Sequence, residues 1–425
     1  MRNTKVVTVA SVSLLALVAG CTGTGTTTGS NDEGDPDAGI RWLVEEPEDA
    51  AAVKALKEHV ATFTEESGVE VEVSTVPFES FKQIVQTQLR SGEGPDVLNW
   101  GSGPDFGGRL AEAGLLMDLT DAYEERGWEV YDFAKERVTT PDGMVYGIPG
   151  ELESIGVFYN KELLEENGVP EPTTMADLEE AAAGLKEAGI IPLAVGDQEG
   201  WEGGHLLSMA LGSAIGGEGM NELFTGERPW DSPEVVEAVQ TWQDFHEAGY
   251  LPEEPTAVNY DTSIAMFYSG EAAMIPTGSW LVGEIDDNTD FEVGFLPFPA
   301  PEGEGVFTAG LGSGPFISAQ TGNEEGALEF MDFLASPEHG TWTVENLHTI
   351  PPMELDTSGL DVSPLFADVL EKTAAVAESG DFGQNIDVMA SNKVNEAMYN
   401  GFQALFTGEK TAEEVAADLE AAAGA

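Results

Sequence analysis

The sequence predicts an α/β fold in two lobes, each built on a β-sheet flanked by helices. Strand-like and helix-like segments alternate from Ile40 onward, and a βαβαβ order implies a parallel sheet with helices on its faces. About 385 of the 425 residues follow this point, which suggests two cores, since a domain typically has about 100 to 200 residues. Cys21 is the only cysteine, so packing rather than an intrachain disulfide holds these cores together.

The elements of the first lobe follow from the spacing of apolar residues. Residues 40–44 form a short apolar run, and residues 69–73 alternate valine with polar residues at strand period. Residues 53–63 and 81–89 carry apolar side chains at helical spacing. Residues 96–100 predict a third strand that opens into a glycine-rich turn. In sheets of this kind, ligands lie beyond the carboxyl ends of the strands.

A second series of elements begins at residues 154–159, which start another predicted βαβ run. Thr174 and Asp177 form the pattern of a capping box, so a helix is predicted to begin there and to end near Gly189. The remaining predicted elements are strands at 190–195, 272–275, 292–296 and 315–318, and helices at 233–248, at 324–334 and in the tail at 388–423.

Residues 1–20 have the layout of an export signal. Positive residues precede an apolar run at 6–18, and small residues lead up to Cys21. A cysteine after such a site resembles the lipobox of bacterial and archaeal lipoproteins, in which the thiol takes the lipid. Residues 21–39 are rich in Thr, Gly, Ser and Asp and predict a flexible, lipid-anchored linker. This interpretation places the protein at the extracellular face of the cell membrane; a plain secretory signal with an incidental cysteine is the alternative.

The net charge excludes some classes of partner. Asp and Glu number 78 against 17 Lys and Arg, for a formal charge of -61, and a chain this acidic repels nucleic acid and anionic lipid. Disorder conflicts with the 41% of hydrophobic residues, and no loop of the Asp-x-Asp-x-Asp-Gly type indicates calcium. The acid excess therefore predicts a halophilic surface, because the Debye length falls to about 3 Å at 1 M salt and self-repulsion is screened.

Sequence signatures of enzymes are missing. The chain has no Gly-x-Ser-x-Gly elbow, no Gly-x-x-x-x-Gly-Lys phosphate loop and no His-Glu-x-x-His zinc motif, and its five histidines are scattered. Carboxylates are too numerous for a glycosidase pair to be singled out. We therefore expect no catalytic residue, no cofactor and no metal. An anchored glycosidase is the alternative from another functional class.

Three tryptophans lie where a strand ends or a loop begins, namely Trp100, Trp201 and Trp280. A flat indole stacks on the apolar C–H face of a sugar ring, while nearby carboxylates and amides bind the hydroxyl groups. The pattern indicates a sugar-binding cleft. The alternative for each is a place in the core, which is the position we expect for Trp42, Trp128, Trp242 and Trp342.

Short segments spread over about residues 40–425 share the pattern of one protein family. The most specific segment is FYSGEAAM at 267–274, which runs into GSW at 278–280. The others are GPDV at 94–97, FGGRLAEAGLL at 106–116, YGIP at 146–149, GVFYNK at 156–161, FLP at 295–297 and ALEFMDFL at 327–334. Together they resemble the extracellular solute-binding proteins of carbohydrate ABC importers, the broad family that includes maltose-binding protein.

The resemblance implies a periplasmic-binding-protein-like type II fold, in which a multi-crossover hinge joins two lobes and the ligand lies between them. It implies a first lobe of residues 40–150 and 305–352, and a second lobe of residues 151–304 and 353–425. It also implies a monomer that captures a sugar or oligosaccharide and delivers it to the permease subunits of an ABC transporter.

The candidate ligand-binding residues are Trp100, Trp201, Trp280, Glu45, Glu79, Ser102, Glu151, Glu202 and Asn385. The resemblance puts the three tryptophans on sugar-stacking places and most of the others on segments that face the cleft. At residues 101–103 Gly-Ser-Gly replaces the polar and charged residues of maltose-binding protein, which argues against maltodextrin as the ligand. A cationic solute such as a polyamine is the same-fold alternative. The carboxylates that would accept it are Glu151, Glu153, Glu199 and Glu202.

Overall fold

The computed structural model describes residues 39–45, 50–76, 78–92, 94–380 and 382–424. The predicted signal peptide, Cys21 and the linker up to residue 38 lie outside these residues. The described strands are β1 Ile40–Glu45, β2 Val71–Val76, β3 Val97–Gly101, β4 Leu152–Asn160, β5 Ile191–Leu193, β6 Ala272–Gly278, β7 Val293–Leu296, β8 Thr308–Leu311, β9 Ser313–Ile317 and β10 Gly383–Gln384.

The α-helices pack against both sheets. They are α1 Ala50–Ser67, α2 Phe78–Ser91, α3 Arg109–Glu112, α4 Thr120–Arg126, α5 Asp132–Arg137, α6 Lys161–Glu166, α7 Met175–Glu187, α8 Glu202–Thr225, α9 Pro233–Glu247, α10 Tyr260–Tyr268, α11 Val282–Asn288, α12 Glu324–Leu334, α13 Pro337–Leu347, α14 Pro364–Ser379, α15 Ile386–Met389, α16 Asn392–Phe406 and α17 Ala412–Ala423. In the part of the chain that the structure describes, no helix has both the length and the apolar character needed to cross a membrane.

The first sheet has the order β2-β1-β3-β9. Strands β1, β2 and β3 are parallel, as the alternating sequence predicts, and β9 joins them antiparallel to β3. The core beneath this sheet contains the indoles of Trp42 and Trp128, which are 3% and 7% exposed. Trp242 is likewise buried in the second core. Trp342 of α13 is half-buried and packs at the edge of the first core, where its ring stacks on His59 at 4.0 Å.

The second sheet has the order β10-β8-β4-β6-β5, with β7 also paired to β4. The predicted βαβ run from residue 154 is corrected here, because β4 is antiparallel to β6, β7 and β8. Alternating strands and helices imply parallel pairing only where successive strands are neighbours. In this sheet β6 lies between β4 and β5, and only β5 with β6 and β8 with β10 are parallel among the described pairs.

The chain crosses between the two sheets through closely packed glycine segments. Gly312 alone separates β8 from β9, and its N–H donates to the Glu151 carbonyl at 2.9 Å. A Cβ on Gly150 would overlap the backbone of Gly312. A third segment passes nearby, because Leu152 forms a bridge with Ile350. These crossings form the predicted hinge between two sheets, and the two-lobe α/β fold is confirmed.

The lobe boundaries themselves stay a prediction, with one change. The sequence places the return to the first lobe at residue 305, whereas β8 pairs with β4 in the second sheet. The chain therefore returns to the first sheet after Leu311, where β9 starts. The local signals in the second lobe agree with the prediction: the Thr174 hydroxyl accepts from Asp177 N at 3.2 Å, and the Asp177 carboxylate accepts from Thr174 N at 3.0 Å.

Candidate ligand-binding site

A cavity of about 500 Å³ lies between the two sheets. The carboxyl end of β1 contributes Glu45, and the first crossing contributes Gly150 and Glu151. The opposite wall comes from Trp280 and the start of α11, while α13 closes one side. The cavity thus lies beyond the ends of parallel strands, where the fold predicts a ligand, and three of the candidate residues line it.

Trp280 is held in place by the strand that precedes it. It lies two residues after the end of β6, and a Cβ on Gly278 would overlap its ring, so only glycine lets the indole lie across this backbone. The indole Nε1 donates to the Tyr260 hydroxyl at 2.9 Å. That hydroxyl is also 2.6 Å from Thr277 Oγ1. The ring is half-buried, so its orientation is fixed while part of its surface stays available to the cavity.

His205 forms the centre of a group of predicted residues in the second lobe. Its ring lies 5.0 Å from that of Trp201 and 5.4 Å from that of Trp280. Its Nε2 is 3.3 Å from Asn385 Nδ2 and 3.6 Å from Asp387 Oδ2. The structure therefore brings together Trp201, Trp280 and Asn385, which are far apart in the sequence.

Sequence reasoning missed both His205 and Tyr260 as members of this group. The ring of Tyr260 lies 4.7 Å from that of Trp201. A signal for His205 exists, because it stands one helical turn after Trp201 on α8 and such pairs share a helix face. Tyr260 has no comparable signal, since it reaches the group only through the folding of α10 against β6.

Glu202 is a buried carboxyl without a partner among the described residues. It is 7% exposed, and neither of its oxygens accepts a hydrogen bond. Burial, with smaller contributions from Asp197 and Glu199, raises the pKa of Glu202 to about 9. Burial also raises the pKa of Asp197 to about 7, although its Oδ1 accepts from Gly203 N at 3.0 Å. Glu202 is therefore protonated at neutral pH.

Three further carboxylates meet at the hinge. Glu45 is exposed at the end of β1, while Glu151 and Glu153 are half-buried. Burial and the charge of Glu45 raise the pKa of Glu151 to about 7. Burial and Glu151 raise the pKa of Glu153, which Arg137 opposes. Among the described residues, no group of three or more His, Cys, Asp or Glu side chains is arranged to hold a metal ion.

The loop after β3 touches the second lobe. Gly103 has a φ of +96°, and a Cβ there would lie 2.8 Å from the Val388 carbonyl oxygen on α15. Ser102 is 1% exposed, and its hydroxyl has no partner among the described residues. Arg137 of α5 lies next to Gly103 in space, and its Nε and Nη2 are buried without an acceptor among the described residues. Polar groups left in this state cost about 1 to 3 kcal/mol each, so a polar ligand that satisfies them is stabilised.

Trp100 and Glu79 are the two remaining candidate residues. Trp100 is 6% exposed and packs in the first core, with its ring 6.0 Å from that of Phe106. This burial favours the core position over stacking on a ligand. Glu79 belongs to α2, but its side chain lies outside the described residues.

Comparison with known proteins gives the same fold. A galactooligosaccharide-binding protein of Bacillus subtilis is 26% identical over 313 residues, which are 72% of this chain and 72% of that protein. An uncharacterised ABC transporter extracellular-binding protein of Pyrococcus horikoshii is 25% identical over 284 residues, or 65% of this chain. The match covers 60% of that relative's length, less than two thirds of it.

A solved structure of a chitin oligosaccharide binding protein is similar to this chain with a TM-score of 0.78 and 22% identity. The similarity covers 90% of this chain and 98% of that one, so the fold is shared along nearly the whole length. The family model for bacterial extracellular solute-binding proteins matches residues 47–341, well over half of the sequence. The chain belongs to the bacterial extracellular solute-binding protein family.

Proposed function

We propose that this protein is a lipid-anchored extracellular binding protein that captures a sugar or oligosaccharide between its lobes and delivers it to an ABC importer permease. The observation that carries the proposal is the interlobe cavity with Trp280 in its wall. A half-buried indole fixed by Tyr260 offers an apolar face to a sugar ring. No covalent step is needed, because binding alone closes the lobes on the solute.

Unpartnered polar groups near the contact between the loop after β3 and α15 support a ligand rich in hydroxyl groups. The Ser102 hydroxyl and the Arg137 N–H groups are donors, and Asp387 Oδ1 is an acceptor, without partners among the described residues. A sugar hydroxyl both donates and accepts, so one ligand satisfies groups of either kind. The relatives support the same class, since one of them is named as a galactooligosaccharide-binding protein.

Calorimetric titration in molar salt tests the proposal. The purified protein is titrated with neutral mono- and oligosaccharides and, separately, with putrescine and spermidine. We expect saturable binding of at least one sugar with one site per chain, and an unchanged sugar on chromatography after overnight incubation. Binding of polyamines alone would reject the sugar proposal, and cleavage products would indicate a glycosidase.

A cationic solute remains the second candidate because of the charges in the cavity wall. The lining residues include Glu45, Glu151, Glu284 and Asp287, and no Lys or Arg is among those described there. A positively charged solute would gain from this wall by direct attraction. The polyamine arm of the titration separates this candidate from the sugar.

A further inference from the structure

Arg137, the last residue of α5, has a buried guanidinium edge without an acceptor. Its Nε and Nη2 are both buried, and neither has a hydrogen-bond partner among the described residues. Arg228 uses the same two atoms differently, since its Nε and Nη2 donate to Glu222 Oε2 at 3.1 and 2.8 Å. Burial lowers the pKa of Arg137 to about 10, so the group is charged at neutral pH. A charge withdrawn from water without a hydrogen bond is costly, which favours an acceptor from outside the protein.

The main chain of Arg137 is fixed against the loop after β3. Its carbonyl oxygen accepts from Tyr146 Oη at 2.8 Å and from Gly103 N at 3.1 Å. A Cβ on Gly103 would lie 3.8 Å from Arg137 Nη2 and 2.8 Å from the Val388 carbonyl oxygen. The guanidinium and α15 therefore approach the same point, at the contact between the two predicted lobes.

Asp387 of α15 supplies an acceptor on the other side of this contact. Its Oδ1 is buried and has no partner in the described part of the chain, while its Oδ2 lies 3.6 Å from His205 Nε2. The charge of Asp387 acts on the pKa of Arg137, yet no hydrogen bond joins the guanidinium edge to it. The ring of His205 lies 5.4 Å from that of Trp280, which lines the cavity. The two unpartnered groups thus lie next to the aromatic wall of the ligand cavity.

The chemistry of these groups separates three kinds of ligand. The N–H bonds of Nε and Nη2 in an arginine point in the same direction and form a two-donor fork. A carboxylate would accept from the fork, but it would leave Asp387 Oδ1 unpaired and bring a second negative charge close to it. An ammonium group would pair with Asp387 but would be repelled by the guanidinium. Two adjacent hydroxyl groups suit both sides, because their oxygens accept from the fork while a hydroxyl proton is donated to the carboxylate.

We propose that Arg137 and Asp387 determine the specificity of this protein by binding two adjacent hydroxyl groups of a neutral sugar ring. The inference rests on the proposed function, which it narrows to neutral sugars with a free vicinal diol. Arg137 belongs to the predicted first lobe and Asp387 to the predicted second lobe. A diol bound to both residues therefore also stabilises the contact between the lobes.

The first test changes the sugar and leaves the protein intact. Glucose, galactose, xylose and their 1,4-linked disaccharides are titrated into the wild-type protein by calorimetry in molar salt. Each sugar that binds is compared with its forms deoxygenated at one ring position and with the matching uronic acid. We expect deoxygenation at two adjacent positions to weaken binding by at least about tenfold each, because either loss leaves one N–H of the fork unpaired. The uronic acids should bind more weakly than the neutral parent sugars.

The second test connects that penalty to the named residues. Arg137→Lys keeps the positive charge but removes the fork, so the parent sugar and its deoxygenated forms should bind this variant with similar affinity. Arg228→Lys is the matched control, because it removes a fork that Glu222 already occupies, and it should keep the wild-type penalty. A purely structural role of Arg137 would weaken parent and deoxygenated sugars alike and leave the penalty unchanged. Asp387→Asn removes the negative charge and should reduce both the affinity and the preference over the uronic acid.

The outcomes distinguish this inference from the function on which it rests. A penalty below tenfold at every position, tighter binding of a uronic acid than of its parent, or a wild-type penalty in folded Arg137→Lys would overturn the inference and leave sugar capture intact. Circular dichroism verifies that each variant is folded. If Arg137→Lys does not fold, wild-type affinity and preference in folded Asp387→Asn would overturn the inference. If no sugar of the panel binds the wild-type protein, the inference and the proposed function are both rejected.

Discussion

Replacing Trp280 by alanine should separate ligand binding from stability. The indole is half-buried and packs at the edge of two cores, so its removal costs about half of the 3 to 5 kcal/mol typical of a core tryptophan. Its hydrogen bond to Tyr260 adds about 1 kcal/mol. Tyr260 keeps Thr277 as a partner, so no polar group is stranded. We expect a total loss of about 2 to 4 kcal/mol of unfolding free energy.

The same replacement should weaken sugar binding by at least tenfold, which is about 1.4 kcal/mol. Trp342→Ala is the matched control, because Trp342 is also half-buried and stacks on His59 at 4.0 Å but does not line the cavity. Chemical unfolding measures stability, and calorimetry with the tightest-binding sugar of the screen measures affinity. We expect similar stability losses in both variants and a weakened affinity in Trp280→Ala alone. Equal affinities in the two variants would refute the placement of Trp280 in the site.

Four further predictions follow from the charge, the anchor and the two lobes. Dialysis from molar salt into dilute buffer should lower the melting temperature, because a charge of -61 repels itself once screening is lost; an unchanged circular dichroism curve would contradict this. Cys21→Ser should release the protein into the medium, and retention in the membrane fraction at wild-type levels would contradict lipidation. The folded state raises the pKa of Glu202 to about 9, so it favours the protonated form, and stability should fall by up to about 1.4 kcal/mol per unit as the pH rises from 6 to 9. Glu202→Gln should reduce the dependence of the unfolding free energy on pH, measured by denaturant titration at each pH, whereas Glu187→Gln at an exposed position should leave it unchanged. Equal dependences in the two variants would show that surface carboxylates cause it. Gly103→Ala should weaken sugar affinity by obstructing the lobe contact, whereas Gly114→Ala, which also places a side chain at a positive φ (+68°) but has no neighbour within 4 Å, should retain wild-type affinity. Equal affinities in the two variants, each verified as folded, would contradict the contact.

The order of the elements could be predicted from local patterns, but the pairing in the second sheet could not. Hydrophobic period and capping residues depend only on neighbours in the chain, so β1 to β3, the Thr174 cap and α12 follow from the sequence. The position of β6 between β4 and β5 depends on contacts between residues more than a hundred positions apart, such as Ile155 with Gly278. Alternation of strands and helices carries no information about that insertion.

The same difference between local sequence patterns and long-range contacts applies to the candidate site. Trp201, Trp280 and Asn385 were predicted from loop positions and resemblance, and the structure brings them around His205. Tyr260 was missed because its role comes from the hydrogen bond that it accepts from Trp280, a contact without a sequence period. Trp100 was predicted from its position before a glycine turn, yet the turn folds so that its indole stays in the core. A loop position indicates access to a cleft only when the following residues leave the ring uncovered.

The net charge of the chain does not distinguish buried carboxylates from exposed ones. An exposed glutamate and a buried one contribute equally to the formal charge of -61. Water stabilises the charge of the exposed residue, whereas burial disfavours the charge of the other. The exposed residue is solvated and gains from salt, whereas the neutral acid form of Glu202 persists because burial opposes ionisation. Glu151 lies between these extremes, because burial and the charge of Glu45 raise its pKa to about 7. Only the fold identifies which of the 78 acidic residues are withdrawn from water in this way.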